Sequence, residues 1–176
     1  MLYIYLAGPL FKEAEINQRR LEGKKLKEVL DSKSVEYFLA NPIDLPLDNT
    51  KVLTSAAVFK EDYYHVNQAN VFFFELASED SGTMVELGNA IEKYMQGQAL
   101  KIYPVIADLR LPRNNPSGVE CPFGINSYVV GCLTANNIEI FTSFNDALKQ
   151  FIEDLEQGLI NRKQSLIKQE CVIECK

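Results

Sequence analysis

The chain has 176 residues, of which 47% are hydrophobic and 24% charged, and its formal net charge is -6. This length and balance are typical of a single globular domain and exclude a chain that is disordered throughout. The negative charge disfavours general binding to nucleic acids, because it repels a phosphate backbone.

The sequence shows no signal for export or for membrane insertion. No apolar run approaches the roughly 20 residues of a transmembrane helix, and residues 1–8 are too short and too uncharged for a secretory signal. We therefore expect a cytoplasmic protein whose four cysteines are reduced thiols. Cys171 and Cys175 are four residues apart, but no second pair and no nearby histidine supports a zinc site, so we expect no metal.

Apolar runs alternate with amphipathic segments along the chain. In chain order, strands are predicted over 2–7, 35–39, 71–76, 100–106 and 138–141, and helices over 13–31, 54–68, 83–95 and 145–156. Because several strands are apolar throughout, this order predicts an α/β fold with a mostly parallel, five-stranded sheet and helices on both faces. We expect one domain over residues 1–156 and a tail over 157–176 that the pattern does not place.

Ligands of such sheets bind at the carboxyl ends of the strands. The loops at those ends are 8–11, 77–83 and the long segment 108–126. The last is too long for a bare connection, and loops of that length in compact domains are usually functional or disordered.

The densest group of polar residues, 79–89, follows the most buried predicted strand and opens a helix. We expect Glu86 in the first helical turn, where free amide groups and the helix dipole favour an ionised carboxylate able to attack an anomeric carbon. Thr83 and Glu86 also have the spacing of a capping box, which needs no catalytic role. Asp80 either contacts a nucleobase and its proton or only orders the turn, and Gly82 is either a turn residue or a substrate contact.

Other residues carry weaker signals. Asp62 lies in the predicted helix before the third strand, where a solvated charge is the simpler interpretation. His65 has no nucleophilic partner of a hydrolase triad. Tyr3, Tyr5 and Phe11 could stack on a base or belong to the core. Neither GxGxxG nor a P-loop is present, so we expect no nucleotide cofactor.

These motifs, taken in order, resemble the nucleoside 2-deoxyribosyltransferase family over about Tyr3 to Phe151. The matching features are the segment 4–11 at the end of the first strand, Asp62 before the third strand and the Asp-x-Gly-Thr-x-x-Glu-x-Gly block from Asp80 to Gly88. A weaker match is Pro-Phe-Gly-Ile-Asn at 122–126.

The resemblance implies a flavodoxin-like, three-layer fold and exchange of the base of a 2'-deoxynucleoside for a free nucleobase, without a cofactor. It makes Glu86 the nucleophile that forms a covalent deoxyribosyl intermediate, with Tyr5 or Tyr3 orienting it. It assigns the base and its proton to Asp80 and Asp62. It further implies a homo-oligomer in which Asn126 reaches the 5'-hydroxyl of a neighbour's substrate. The substrate contacts expected besides Asn126 are Gly8, Phe11 and Gly82.

Two other functions are compatible with the pattern. The first is hydrolysis of 2'-deoxynucleoside 5'-monophosphates on the same scaffold, which needs a phosphate site. The loop 8–11 is apolar and uncharged, which favours a free 5'-hydroxyl. The second is a non-catalytic nucleotide-sensing module, which would bind without turnover. The chain also ends in Glu-Cys-Lys rather than in the aromatic residue that completes a neighbour's site in some family members.

Overall fold

The computed structural model describes residues 1–45, 54–107 and 124–161. Strands and helices alternate over these ranges. In chain order they are β1 (Leu2–Ala7), α1 (Glu13–Ser32), β2 (Tyr37–Ala40), a 3-10 turn (Pro42–Asp44), α2 (Ser55–Gln68), β3 (Val71–Glu75), α3 (Ser81–Met95), β4 (Lys101–Val105), α4 (Ser127–Thr134) and α5 (Phe144–Glu156).

The four strands form one parallel sheet in the order β2-β1-β3-β4. Successive side chains of a strand point to opposite faces, so β1 contributes side chains to two cores, one on each face of the sheet. Tyr3 and Tyr5 belong to the core shared with α2, α3 and α4, whereas Leu2 and Ile4 belong to the core shared with α1 and α5. The predicted three-layer α/β fold with a parallel sheet is confirmed.

The prediction of a fifth strand over 138–141 is wrong within the described residues. This segment meets β4 only at an isolated bridge between Val105 and Phe141. The Phe141 amide donates to the carbonyl oxygen of Pro104, and the Ile106 amide donates to Phe141. Pro104 carries no amide hydrogen on this outer edge of β4, so the next rung of a ladder cannot form and the pairing stops.

Helix α4 was not expected from the sequence. Its segment contains adjacent valines and a central glycine, which have low helix propensity. Asn126 nevertheless starts the helix, because its side-chain oxygen accepts a hydrogen bond from the Tyr128 amide at 2.8 Å. The predicted long loop before it falls mostly on residues 108–123, outside the described residues.

The predicted tail begins with five described residues. Among them Ile160 is buried in the core that α1 and α5 share, so the compact part of the chain extends past residue 156. Residues 162–176, including Cys171 and Cys175, lie outside the described residues. No helix in the described ranges is long and apolar enough to cross a membrane.

Candidate active site

A buried tyrosine on β1 holds a carboxyl group of α3 at the carboxyl end of the sheet. The Tyr5 hydroxyl donates to Glu86 Oε1 at 2.8 Å. Burial and the neighbouring charge of Glu86 raise the pKa of Tyr5 far above its usual value, so the hydroxyl keeps its proton and acts as a donor. Of the two tyrosines considered from the sequence, Tyr5 contacts Glu86, while the Tyr3 hydroxyl bonds to His65 Nδ1 at 2.6 Å.

Two cavities meet at Glu86. The larger, which we call the helix cavity, has a volume of about 390 Å³ and lies between α2 and α3. The smaller, the loop cavity, has about 150 Å³ and lies under the loop that follows β1. Asp62, Gly82 and Glu86 line both cavities. The structure therefore brings Asp62, a solvated helix charge on the simpler interpretation, to the same place as Glu86.

Asp80 caps helix α3, and this corrects two expectations from the sequence. Asp80 Oδ1 accepts from the Thr83 amide at 3.1 Å, and Oδ2 accepts from the Thr83 hydroxyl at 2.6 Å. The cap is therefore Asp80 rather than Thr83, the helix begins at Ser81, and Glu86 lies in the second turn rather than the first. Thr83 and Glu86 do not form a capping box, so the side chain of Glu86 remains free to face the cavities.

The electrostatics at Glu86 favour the protonated form. Burial, together with the smaller effects of the negative charges of Asp62 and Asp80, raises its pKa to about 7, although the hydrogen bond from Tyr5 acts in the opposite direction. Burial, with a smaller contribution from Glu61, also raises the pKa of Asp62, and His65 opposes this. Perturbed carboxyl groups of this kind cluster at functional sites.

The loop after β1 forms a wall of the loop cavity through Gly8, Leu10 and Phe11. Phe11 is 67% exposed, so its ring is available to a ligand. The Arg19 guanidinium packs closely against Gly8. A Cβ atom at this position would lie 2.7 Å from Arg19 Nη1, so a larger residue would not fit without a shift.

Asn126 is the one predicted site residue that the chain does not bring to the others. It is exposed at the start of α4, its side chain caps that helix, and it lines neither of the two cavities.

The apolar residues of the helix cavity were not predicted from the sequence. They are Val58, Phe59, Tyr63, Val66 and Val85. Phe59 and Tyr63 stack with their ring centres 5.2 Å apart. Together with Asp62, the first four lie on α2 at successive spacings of one, three, one and three residues. This is the helical period of residues that share one face, so the pattern could have revealed them.

Neither cavity has a lysine or arginine among its described lining residues. The lining instead contains three acids, Asp62, Asp80 and Glu86. Over the described ranges, no group of three or more histidine, cysteine or acidic residues is arranged to hold a metal ion.

Comparison with known proteins agrees with this architecture. Over 160 residues the chain is 27% identical to an uncharacterized protein of Ureaplasma parvum, covering 88% of this chain and 96% of that protein. A conserved protein of Enterococcus faecalis superposes with a TM-score of 0.64 at 21% identity, covering 90% of this chain and 99% of that one.

A 2-desoxiribosyltransferase of Leishmania mexicana superposes with a TM-score of 0.54 at 19% identity, covering 87% of this chain and 98% of that one. These two likenesses establish the fold. Residues 4–111 match the family described as Nucleoside 2-deoxyribosyltransferase. This range includes most of β1, all of β2 to β4 and every residue lining the two cavities. The chain belongs to the nucleoside 2-deoxyribosyltransferase family.

Proposed function

We propose that this protein transfers the 2-deoxyribosyl group from one nucleobase to another through a covalent intermediate on Glu86. The observation that carries the proposal is the hydrogen bond from Tyr5 to Glu86 Oε1 at the junction of the two cavities. No second hydrogen bond to the Glu86 side chain is present in the described part of the chain. Oε2 is therefore the oxygen available for attack.

In the first half-reaction, Glu86 Oε2 forms a bond to C1' of the deoxynucleoside while the bond between C1' and the base nitrogen breaks. The electron pair of that bond leaves with the base. A carboxylate stabilises the oxocarbenium-like centre that develops at C1'. In the second half-reaction, a nitrogen of the acceptor base attacks C1', and the bond to Glu86 breaks to restore the carboxylate.

We assign the proton of the base to Asp62. Departure of a base is easier when an acid protonates it, and an acid with a raised pKa holds its proton for this purpose. Asp62 lines both cavities, and burial raises its pKa. Both oxygens of Asp80 are engaged by Thr83, so we assign to Asp80 the positioning of α3 rather than a proton transfer. Asp62 takes back a proton from the acceptor base in the second half-reaction.

The acidity of Glu86 fits this use. With a pKa of about 7, the carboxyl is ionised in a large share of molecules at neutral pH. Its charge is weakly solvated, because burial is the main cause of the shift. A poorly solvated carboxylate loses little hydration when it attacks C1'.

The charges around the cavities favour a substrate with a free 5'-hydroxyl over a 5'-monophosphate. A phosphate needs cations or free amide groups, and the described lining offers three acids and no basic residue. The alternative function, hydrolysis of deoxynucleoside monophosphates, therefore has less support than base exchange on nucleosides.

We further propose that the working unit is a homo-oligomer in which Asn126 contacts the substrate of a neighbouring copy. The exposed face of the helix cavity supports this, since Val58, Phe59, Tyr63 and Val85 are each more than 40% exposed. Contiguous apolar surfaces of this kind mark contacts with other proteins or with ligands.

Incubation with 2'-deoxyinosine, with and without free adenine or cytosine, tests the function when the products are separated by chromatography. We expect new deoxynucleoside only when an acceptor base is present. Release of hypoxanthine without base exchange would replace the transferase by a hydrolase. Binding of deoxynucleosides or deoxynucleotides without any turnover would contradict the proposal and support the sensing module.

A further inference from the structure

A buried arginine lies beneath the proposed active site and lines neither cavity. Arg19, on α1, is 2% exposed. Its Nη2 donates to Glu22 Oε1 at 3.0 Å, and its Nη1 lies 2.8 Å from Glu22 Oε2, which pairs the two residues along α1. The same guanidinium forms an ion pair with Glu75 at the end of β3.

Arg19 also contacts the end of β1. Its Nη1 donates to the carbonyl oxygen of Ala7 at 3.4 Å. The registered pairing between β1 and β3 ends at the partners Ala7 and Phe74. Arg19 therefore connects β1 and β3 just where their backbone pairing stops, by binding Ala7 on one strand and Glu75 on the other.

Both segments that leave this point carry parts of the site. The loop that follows Ala7 forms a wall of the loop cavity. The loop that follows Glu75 leads to Asp80 and to α3, which carries Glu86. The two segments are joined again above the sheet by the hydrogen bond from Tyr5 to Glu86.

From these contacts, we propose that Arg19 is a positioning residue, which holds the ends of β1 and β3 at the separation that the bond between Tyr5 and Glu86 requires. This inference rests on the proposed function, because it concerns the residue assigned as nucleophile. Gly8 belongs to the same arrangement, since only a residue without Cβ leaves room for the guanidinium. A lysine at position 19 keeps the charge but cannot reach Ala7, Glu22 and Glu75 together.

The test uses Arg19→Lys and Glu75→Ala in the full-length chain. Arg20→Lys is the matched control, because Arg20 is the next residue of α1 and is exposed. Misplacement of a reacting group by about 1 Å can cost roughly a hundredfold in rate. We expect kcat/KM for base exchange to fall at least about tenfold in both variants, mainly through kcat, and to stay unchanged in Arg20→Lys.

A second readout separates positioning from a general loss of stability. The pKa of the Glu86 carboxyl can be followed by carbon NMR, with Glu86→Gln identifying the signal. Weakening of the Tyr5 hydrogen bond raises this pKa, because that bond lowers it. Simple loss of the Glu75 charge would lower it instead. The groups that face Glu86 from β1, α2 and the start of α3, namely Tyr5, Asp62 and Asp80, are unchanged in both variants.

We therefore expect the pKa of Glu86 to be higher in Arg19→Lys and in Glu75→Ala than in the wild type. In a Tyr5→Phe background, where the hydrogen bond is already absent, neither substitution should raise this pKa further. An unchanged or lowered pKa in folded variants would overturn the inference, whether or not activity falls. If Arg19→Lys does not fold, Glu75→Ala decides, since Glu75 is partly exposed. If the wild-type protein exchanges no bases, the proposed function fails, while the NMR titration still decides the role of Arg19.

Discussion

Tyr5 and Glu86 determine the acidity of the site at the level of single residues. Their hydrogen bond lowers the pKa of a carboxyl that burial otherwise raises. Tyr5→Phe removes the bond without changing the packing of the ring. The pH profile of kcat/KM reports ionisation in the free enzyme. We predict that the acid limb of this profile, where Glu86 becomes protonated, moves from near pH 7 to higher pH in this variant, because the hydrogen bond that lowers the pKa is lost.

Tyr3→Phe is the matched control for this prediction. Tyr3 lies on the same face of β1 and is buried, but it bonds to His65 rather than to Glu86. The acid limb should keep its position in Tyr3→Phe. A limb that moves equally in both variants, or in neither, would show that Tyr5 does not set the ionisation of Glu86.

Glu86 also makes stability depend on pH. Its pKa in the folded protein, about 7, is above the unfolded value of 4.5, so its favourable contribution is fully present below pH 4.5 and is lost as the pH rises through 7. Glu86→Gln keeps a neutral side chain at every pH. We predict that this variant gains stability over the wild type between pH 4.5 and 8, by on the order of 3 kcal/mol at most.

Thermal or denaturant unfolding at several pH values measures this difference. Glu92→Gln, an exposed position on the same helix, should follow the wild type at each pH. A constant difference between Glu86→Gln and the wild type across this range would mean that Glu86 is solvated in the folded protein. The site would then be less buried than the structure indicates.

At the level of elements, the start of α3 depends on Asp80. Its two bonds to Thr83 satisfy an amide that the helix leaves free. We predict that Asp80→Ala lowers the free energy of unfolding by about 1 kcal/mol relative to Asp80→Asn, because asparagine also caps helices well. Denaturant titration of the two variants checks this, and equal stabilities would show that the cap contributes nothing.

The sequence identified most elements because their hydrophobic periods are clear. The apolar runs of β1 and β3, for example, match the observed Leu2–Ala7 and Val71–Glu75. The predictions from sequence were wrong where tertiary contacts determine how an element starts or whether it forms. The cap at Asp80 depends on a hydroxyl and an amide of Thr83 that spacing alone does not select, and the strand expected at 138–141 fails because Pro104 interrupts the edge of β4.

The candidate site was predicted in composition but not in geometry. Glu86, Asp80, Asp62 and Gly82 were expected, and all four line the loop cavity. The choice between Tyr3 and Tyr5 could not be made from sequence, because both point to the same face of β1. Arg19 gave no signal at all, since its partner Glu75 is 56 residues away.

At the level of the whole molecule, the proposed oligomer makes a prediction about mixed variants. Asn126→Ala and Glu86→Gln should each be inactive in base exchange if a site takes Glu86 from one copy and Asn126 from another. When the two inactive variants are mixed under conditions that exchange subunits, some sites contain both native residues. We predict that activity returns in the mixture.

Light scattering establishes the oligomeric state that this prediction needs. Phe59→Glu, on the exposed face of the helix cavity, should reduce the number of subunits in the oligomer. Met95→Glu is the control, because Met95 is exposed at the end of α3 and lines neither cavity. A monomeric, active wild type, or a mixture that stays inactive although subunits exchange, would contradict the proposed role of Asn126.

The central claim, a deoxyribosyl group covalently held by Glu86, is tested most directly by mass spectrometry. The protein is mixed with 2'-deoxyinosine without an acceptor base, quenched with acid and digested. We predict that the peptide containing Glu86 gains the mass of one deoxyribosyl group, and that Glu86→Gln, treated identically, gains none. Base exchange by a wild-type protein that carries no such adduct, or an adduct on a different residue, would contradict the account.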